Sequence, residues 1–304
     1  MFGVTVLGNN SAIPAFNRHP TAQVVCLQDE LILIDCGEGT QMQIAEYKVK
    51  RSRINHILIS HLHGDHYFGL IGLITSMGLL GRQHTLHVYG PQALETILQA
   101  QLQVASTTLP YPLHFHPLEN DSKLFDGKKF SIESFPTKHR VPCWGFIISE
   151  KKVPRKINKE AVLKYEIPSA FYETLKMGED YQTKEGQVIK NELLTIANSP
   201  CRSYAYCADT IYDETLVEKV KNVSLLYHET TYLKDLEQRA AERFHSTTVQ
   251  AAAIAKMANT GRLIIGHFSS KYNELDEFLA EAIEVFPQTE LALEGATYRV
   301  LLHQ

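Results

Sequence analysis

A short apolar run, Ile54-Asn-His-Ile-Leu-Ile-Ser60, passes directly into His61-Leu-His63-Gly-Asp65-His66. The run is β-branched, ends abruptly at polar residues and reads as a buried strand. Four metal-ligand side chains therefore sit where a strand stops and a helix is about to begin. His61 and His63 are two apart, so an extended backbone points them to one side, where they can converge on one metal. Asp65 and His66 lie past the Gly64 bend and can face a second metal beside the first. This placement suits two metals sharing a water rather than one closed structural site. A solvated polar loop is the competing reading, and the density of ligand types weighs against it.

The surrounding chain supplies a scaffold for such an edge. Strands are expected over 3–8, 23–28, 31–36, 54–60, 85–90, 130–135, 144–149, 203–208, 223–227, 262–266 and 290–294. Helices are expected over 40–47, 67–80, 92–104, 160–166, 213–221, 232–241, 247–259 and 274–285. Thr247-x-x-Gln250 is a capping box at the start of one helix, and Gly261 is expected to close it. The alternation predicts an α/β fold with helices covering sheets. The 304 residues are enough for a large core and are read as a single domain, 1–304. No stretch approaches the roughly twenty apolar residues of a membrane span. The N-terminal Met-Phe-Gly-Val-Thr-Val-Leu-Gly reads as a strand rather than a cleaved leader. Five cysteines, odd in number and without a CxxC pair, point to a reducing cytoplasm and away from a thiolate zinc site. A net charge of −4 gives no global sign of a nucleic-acid partner, so any RNA contact has to be local.

Three other residues share the placement of the histidine motif. His139 follows Phe130–Phe135, Asp209 follows Tyr204–Ala208, and His267 follows Leu263–Gly266. If those strands present one edge, the side chains meet at one rim. Asp209 is the natural bridge, because a carboxylate can give one oxygen to each metal. His61, His63, His139 and Asp209 would complete one site, and Asp65, His66, His267 and Asp209 the other. A water between the metals loses its proton near neutral pH and becomes a nucleophile. Asp35, at the end of another buried run, is placed to orient the ligand loop. Glu229 follows the run 223–227, and His245 precedes the capped helix. A helix N-terminus disfavours an imidazolium, so His245 as a proton donor needs a carboxylate such as Glu229 nearby. Ordinary loop polarity accounts for these two residues equally well. His19, His56, His84, His87, His114, His116 and His303 have no partner spacing and are read as surface or internally satisfied histidines.

Residues 150–200 stand apart. The stretch 151–159 holds five basic residues, Lys151, Lys152, Arg155, Lys156 and Lys159, and no acidic one. A short helical pattern breaks at Pro168, and Tyr181–Ile189 reads as a hairpin turning at Gly186. The thin apolar content predicts an insertion projecting from the main body rather than a second core. A solvated surface excursion is an equal alternative on spacing alone.

The motif HLHGDH resembles the signature of the metallo-β-lactamase superfamily. Further stretches narrow the resemblance to the ribonuclease Z family: Asp35-Cys-Gly-Glu-Gly-Thr-Gln41, His139-Arg-Val-Pro-Cys-Trp-Gly145, Ala208-Asp-Thr210, His228-Glu-Thr-Thr231, His245-Ser-Thr247 and Gly266-His-Phe-Ser-Ser-Lys-Tyr272. They span nearly the whole chain in the family's order. The resemblance implies an αββα sandwich, two packed mixed sheets flanked by helices, with a dinuclear zinc site at one edge and two Zn2+ per subunit. It implies a cytoplasmic, homodimeric endoribonuclease that cuts precursor tRNA after the discriminator nucleotide and leaves a 3′-hydroxyl. It casts Asp65 as general base, and Glu229 and His245 as the pair that protonates the leaving oxygen. It makes 150–200 an arm that clamps tRNA, with Lys151, Lys152, Arg155, Lys156 and Lys159 as phosphate contacts. The chain departs from the family in two places. The stretch Ile167-Pro-Ser-Ala-Phe-Tyr172 lacks the arm's usual Gly-Pro element, and Lys271 stands where arginine is common. The alternative activity for the same fold is hydrolysis of small phosphodiesters or esters.

Overall fold

The apolar runs form the inner strands of two seven-stranded sheets in the computed structural model, which describes residues 1–151, 154–198 and 200–303. The first sheet runs Thr297–Arg299, Phe2–Gly8, Ala22–Leu27, Glu30–Ile34, Ile54–Leu58, Leu86–Gly90, Leu113–Pro117. The second runs Thr289–Leu291, Leu263–Gly266, Leu225–Glu229, Ser203–Cys207, Cys143–Glu150, Phe130–Thr137, Ser122–Asp126. Each sheet is mixed, parallel across one half and antiparallel across the other.

Strand periodicity sorts the side chains into layers. Ile32 and Ile34 enter the core between the sheets with Val4, Val25, Phe146 and Tyr204, while Leu31 and Leu33 face the helical layer. On the second sheet Tyr204 and Tyr206 point inward and Ala205 and Cys207 outward. Helices Thr40–Glu46, Leu70–Leu79 and Gln92–Val104 cover the first sheet; Thr248–Met257 and Asp276–Val285 cover the second. Inner strands are covered on both faces, so they read as continuous apolar runs instead of alternating ones. The result is the αββα sandwich. Among the described residues no helix is long and apolar enough to cross a membrane.

Several boundaries differ from expectation. Three strands, Leu113–Pro117, Ser122–Asp126 and Thr297–Arg299, have no strong apolar run; each lies at a sheet edge. Pairing with a neighbour, rather than burial of both faces, holds them. The helix expected over 67–80 is two helices, Gly64–Tyr67 and Leu70–Leu79. They part at Gly69, whose N–H donates to the Cys36 carbonyl and whose hydrogen leaves room for the Gly37 carbonyl, which a Cβ would approach to 2.2 Å. The run 223–227 becomes Leu225–Glu229, which draws His228 and Glu229 into the strand. The helix over 213–221 shortens to Leu216–Lys219, and that over 232–241 shifts to Glu237–Arg243. The Thr247/Gln250 capping box forms. The helix it opens ends at Met257, and the left-handed turn that closes it falls at Asn259 (φ 50°), not at Gly261.

Within 150–200, Lys156–Ile157 pairs with Thr195–Ile196, and Tyr181–Gln182 pairs with Val188–Ile189 around Gly186 (φ 87°). Val162, Ile167, Leu175, Ile189 and Leu194 form a small core of their own. This corrects the expectation of no second core. The apolar residues are dilute along the chain, and the fold of the segment gathers them. Asn191 secures the cluster, donating to the carbonyls of Leu175 and Glu179.

Candidate metal centre

The parallel strands of both sheets end at one edge, where ligand crevices form in open α/β sheets. His61 and His63 follow Ile54–Leu58, His139 follows Phe130–Thr137, Asp209 follows Ser203–Cys207 and His267 follows Leu263–Gly266. The strand ends bring them together. His61 Nε2 is 3.0 Å from His63 Nδ1, which is 3.1 Å from His139 Nε2. His66 Nε2 and His267 Nε2 are 3.2 Å apart, and Asp65 Oδ2 lies 3.5 Å from each. Asp209 stands between the groups. Its Oδ2 faces His61 at 3.6 Å and His139 at 3.8 Å; its Oδ1 faces His66 at 3.5 Å and His267 at 3.3 Å. Groups able to hold a metal are thus His61, His63, His139 and Asp209 on one side, and Asp65, His66 and His267 on the other. A third, overlapping group contains Asp209, His245 and His267.

The donor set fits metal ions. With metal–nitrogen bonds of about 2.0–2.1 Å, tetrahedral ligands lie about 3.3 Å apart, close to the spacings seen. Asp209 Oδ1 is buried without a hydrogen-bond partner, an orphan that a cation would satisfy. Burial holds His61, His63 and His139 below the usual imidazole range, and neighbouring imidazoles add to it. They are neutral and keep a lone pair for ligation. At His66 burial opposes charge, yet Asp209, Asp65 and Asp35 push its pKa up to about 10. The pocket demands positive charge on that side.

The ligands are held from behind. Asp35, fully buried and left-handed at φ 55°, accepts from the Ser60 N–H at 2.7 Å and from the hydroxyls of Ser60 (2.9 Å) and Tyr206 (2.7 Å). It also holds His66 Nδ1 at 2.8 Å, which aims Nε2 into the site. His139 Nδ1 donates to the Phe244 carbonyl at 2.8 Å. His267, at φ 62°, lies 3.0 Å from Thr231 Oγ1. Positive φ at two such positions is backbone strain held by the surrounding packing. Ala12 N–H donates to Asp65 Oδ2 at 2.7 Å. The supporting roles of Tyr206, Thr231, Phe244 and Ala12 escape sequence reasoning. Only Thr231 carries a signal, its place in His228-Glu-Thr-Thr231.

Glu229 and His245 form a pair at the same cavity, with Nδ1 to Oε1 at 3.0 Å. Glu229 is buried and accepts from the N–H groups of Thr210, Thr231 and Ser246. Burial works against charge on His245, but Glu229, then Asp209 and Asp65, raise its pKa to about 9. The carboxylate that an imidazolium needs before a helix N-terminus is in place. The cavity, about 570 Å³, is lined by His63, Asp65, Asp209, His245 and His267 among others.

The basic residues of 151–159 scatter. Lys156 and Lys159 are exposed. Arg155 Nε donates to Thr195 Oγ1 at 2.6 Å, and Lys151 pairs with Asp126. Lys152 lies outside the described residues. Among the other histidines, His19 bonds Glu294, His56 stacks on His87, and His87 Nδ1 lies 2.9 Å from His116 Nε2 on the next strand. Burial, with His87 and His116, pushes the His56 pKa down to about 4.

A family model described as anti-Pycsar protein Apyc1 matches residues 2–157. The chain is 44% identical over 296 residues to a protein of Bacteroides thetaiotaomicron named ribonuclease Z, covering 97% of this chain and 94% of that protein. It is 42% identical over 303 residues to a Cytophaga hutchinsonii protein of the same name, covering 98% and 96%. The crystal structure of the human tRNase Z short form superposes with a TM-score of 0.72 at 25% identity, over 98% of this chain and 99% of that one. A metallo-β-lactamase-fold protein of Bacillus subtilis, YhfI, shares the fold at a TM-score of 0.69 and 22% identity, over 98% of each chain.

Proposed function

The chain belongs to the ribonuclease Z family, and from that premise we propose that it removes the 3′ trailer of precursor tRNA, cutting after the discriminator nucleotide and leaving a 3′-hydroxyl. The observation that carries this reading into chemistry is Asp209, set between two imidazole groups with Asp65 and the His245–Glu229 pair alongside. Imidazole and carboxylate donors suit zinc. His61, His63, His139 and Asp209 would hold one Zn2+; Asp65, His66, His267 and Asp209 would hold a second. Bound ions supply Lewis acidity toward phosphoryl oxygens and water.

The chain's own groups do the rest. Asp65, ionised and aimed by the Ala12 N–H, accepts the proton of the attacking water. His245 holds a proton at its ring and delivers it to the leaving 3′-oxygen, and Glu229 stabilises the imidazolium that makes the transfer. Asp35 fixes the ring of His66 through Nδ1. Lys151, Lys152, Arg155, Lys156 and Lys159 belong to an arm that contacts tRNA phosphates. The two exposed lysines, Lys156 and Lys159, are the best placed among the described residues. We assign the protein to the cytoplasm as a homodimer; its five free cysteines fit a reducing compartment.

The test is to incubate zinc-reconstituted protein with a 3′-extended tRNA, map the cut and measure bound metal. A cut after the discriminator nucleotide with about two metals per chain is expected. Absence of cleavage after reconstitution would move the assignment to small phosphodiesters or esters.

A further inference from the structure

Three arginines that the proposed chemistry does not use rim the same cavity as Asp65 and His245. Arg140, Arg239 and Arg243 are the Lys or Arg side chains in its lining. Two elements supply them. Arg140 directly follows His139, and Arg239 and Arg243 lie one turn apart on Glu237–Arg243, the helix that leads into His245. The bond from His139 Nδ1 to the Phe244 carbonyl ties these elements together, so Arg140 and Arg243 sit on backbone segments joined directly beside His139 and Phe244. Among the described residues none of them has an ion-pair partner; Arg239 lies over the Tyr232 ring at 5.9 Å. Like charges one helical turn apart repel. Glu38, Asp65 and Asp209 line the cavity too, but no carboxylate among the described residues pairs with the three guanidiniums, which match a polyanion that arginine binds through a planar fork.

We infer that Arg140, Arg239 and Arg243 grip backbone phosphates on the leaving-group side of the cut, in the last nucleotides of the tRNA body before the scissile bond. This rests on the reading of the site as a tRNA 3′ endonuclease. The side follows from His245: it protonates the 3′-oxygen, that oxygen stays with the tRNA body, and Arg239 and Arg243 lie on the segment that delivers His245. The arginines are positioning residues. They fix the strand, and the groups around Asp209 act on it.

The experiment compares zinc-loaded wild type, R239Q/R243Q and R239K/R243K on a 3′-extended tRNA across a salt series, with mature tRNA ending at the discriminator nucleotide as competitor. In R239Q/R243Q, KM should rise on the order of tenfold with a smaller change in kcat. The slope of log KM against log salt should fall by roughly 1.5, the value for two lost phosphate contacts. Inhibition by mature tRNA should weaken in parallel, and the lysine variant should recover most of the slope. An unchanged KM and slope in the glutamine variant overturns the inference. So does loss of kcat alone, or weakened KM with mature-tRNA inhibition intact, which would put the arginines on the trailer side. Failure of wild type to cut the tRNA would instead overturn the functional reading beneath it.

Discussion

At the sheet edge, His61, His66 and Asp209 are almost wholly removed from solvent, and Asp35, Ser60 and Tyr206 fix the ligand loop from behind. In the segment from Lys156 to Ile196, two-residue strands and short helices surround five buried apolar side chains, and the basic residues face outward. The edge is a place where a shift of a few tenths of an ångström changes which atom faces which ligand. In the role we propose for it, the arm needs only to bring charge near phosphate, and long-range attraction tolerates a flexible lysine. Buried hydrogen bonds serve the first task and surface charge the second.

The largest break in that comparison comes from Asp65→Ala. It should reduce turnover by about 10³-fold or more on tRNA and on a small chromogenic phosphodiester alike, read from single-turnover rates at full metal loading. Full hydrolysis with metal bound would remove Asp65 from the chemistry. Removing residues 151–196 should act selectively. The ratio of kcat/KM for tRNA to that for the small diester should fall on the order of 10²-fold, because phosphate contacts far from the cut disappear; an unchanged ratio would strip the arm of its role. Asp35→Asn keeps the shape but weakens the hold on His66 and Ser60. A chelator competition should show metal affinity lower by about 10–100-fold, with the arm's hydrogen-exchange protection intact. The smallest effect belongs to Lys156→Gln and Lys159→Gln. Each should raise KM for tRNA a few-fold and reduce the salt slope by about 0.9, with kcat held. A change in kcat without a change in slope would show that the arm shapes the site rather than the encounter.

Much of the candidate site was legible because its residues come within a few positions after apolar runs. Continuous apolar runs and abrupt strand ends are local properties, so His61, His63, His139, Asp209 and His267 could each be placed at a strand end; that the ends share one edge came from the structure. The edge strands were not legible: Leu113–Pro117 and Ser122–Asp126 are half-exposed, and pairing rather than pattern defines them. The arm's core was missed for the same reason, since Val162 and Leu194 meet only after the segment folds.

By itself the sequence determined the layered α/β plan and the ligand types, because hydrophobic periodicity and metal-donor chemistry are written residue by residue. Only the tertiary structure decided which atoms meet. Tyr206 reaches Asp35 across 171 residues, Phe244 offers its carbonyl to His139 across 105, and Ala12 turns its N–H to Asp65. It also brought Arg140 and the arginines of a different element to one cavity. These contacts depend on two sheets packing face to face, a long-range event that local pattern does not encode. Once the sheets pack, every buried donor must find an acceptor, and that requirement fixes the centre's geometry.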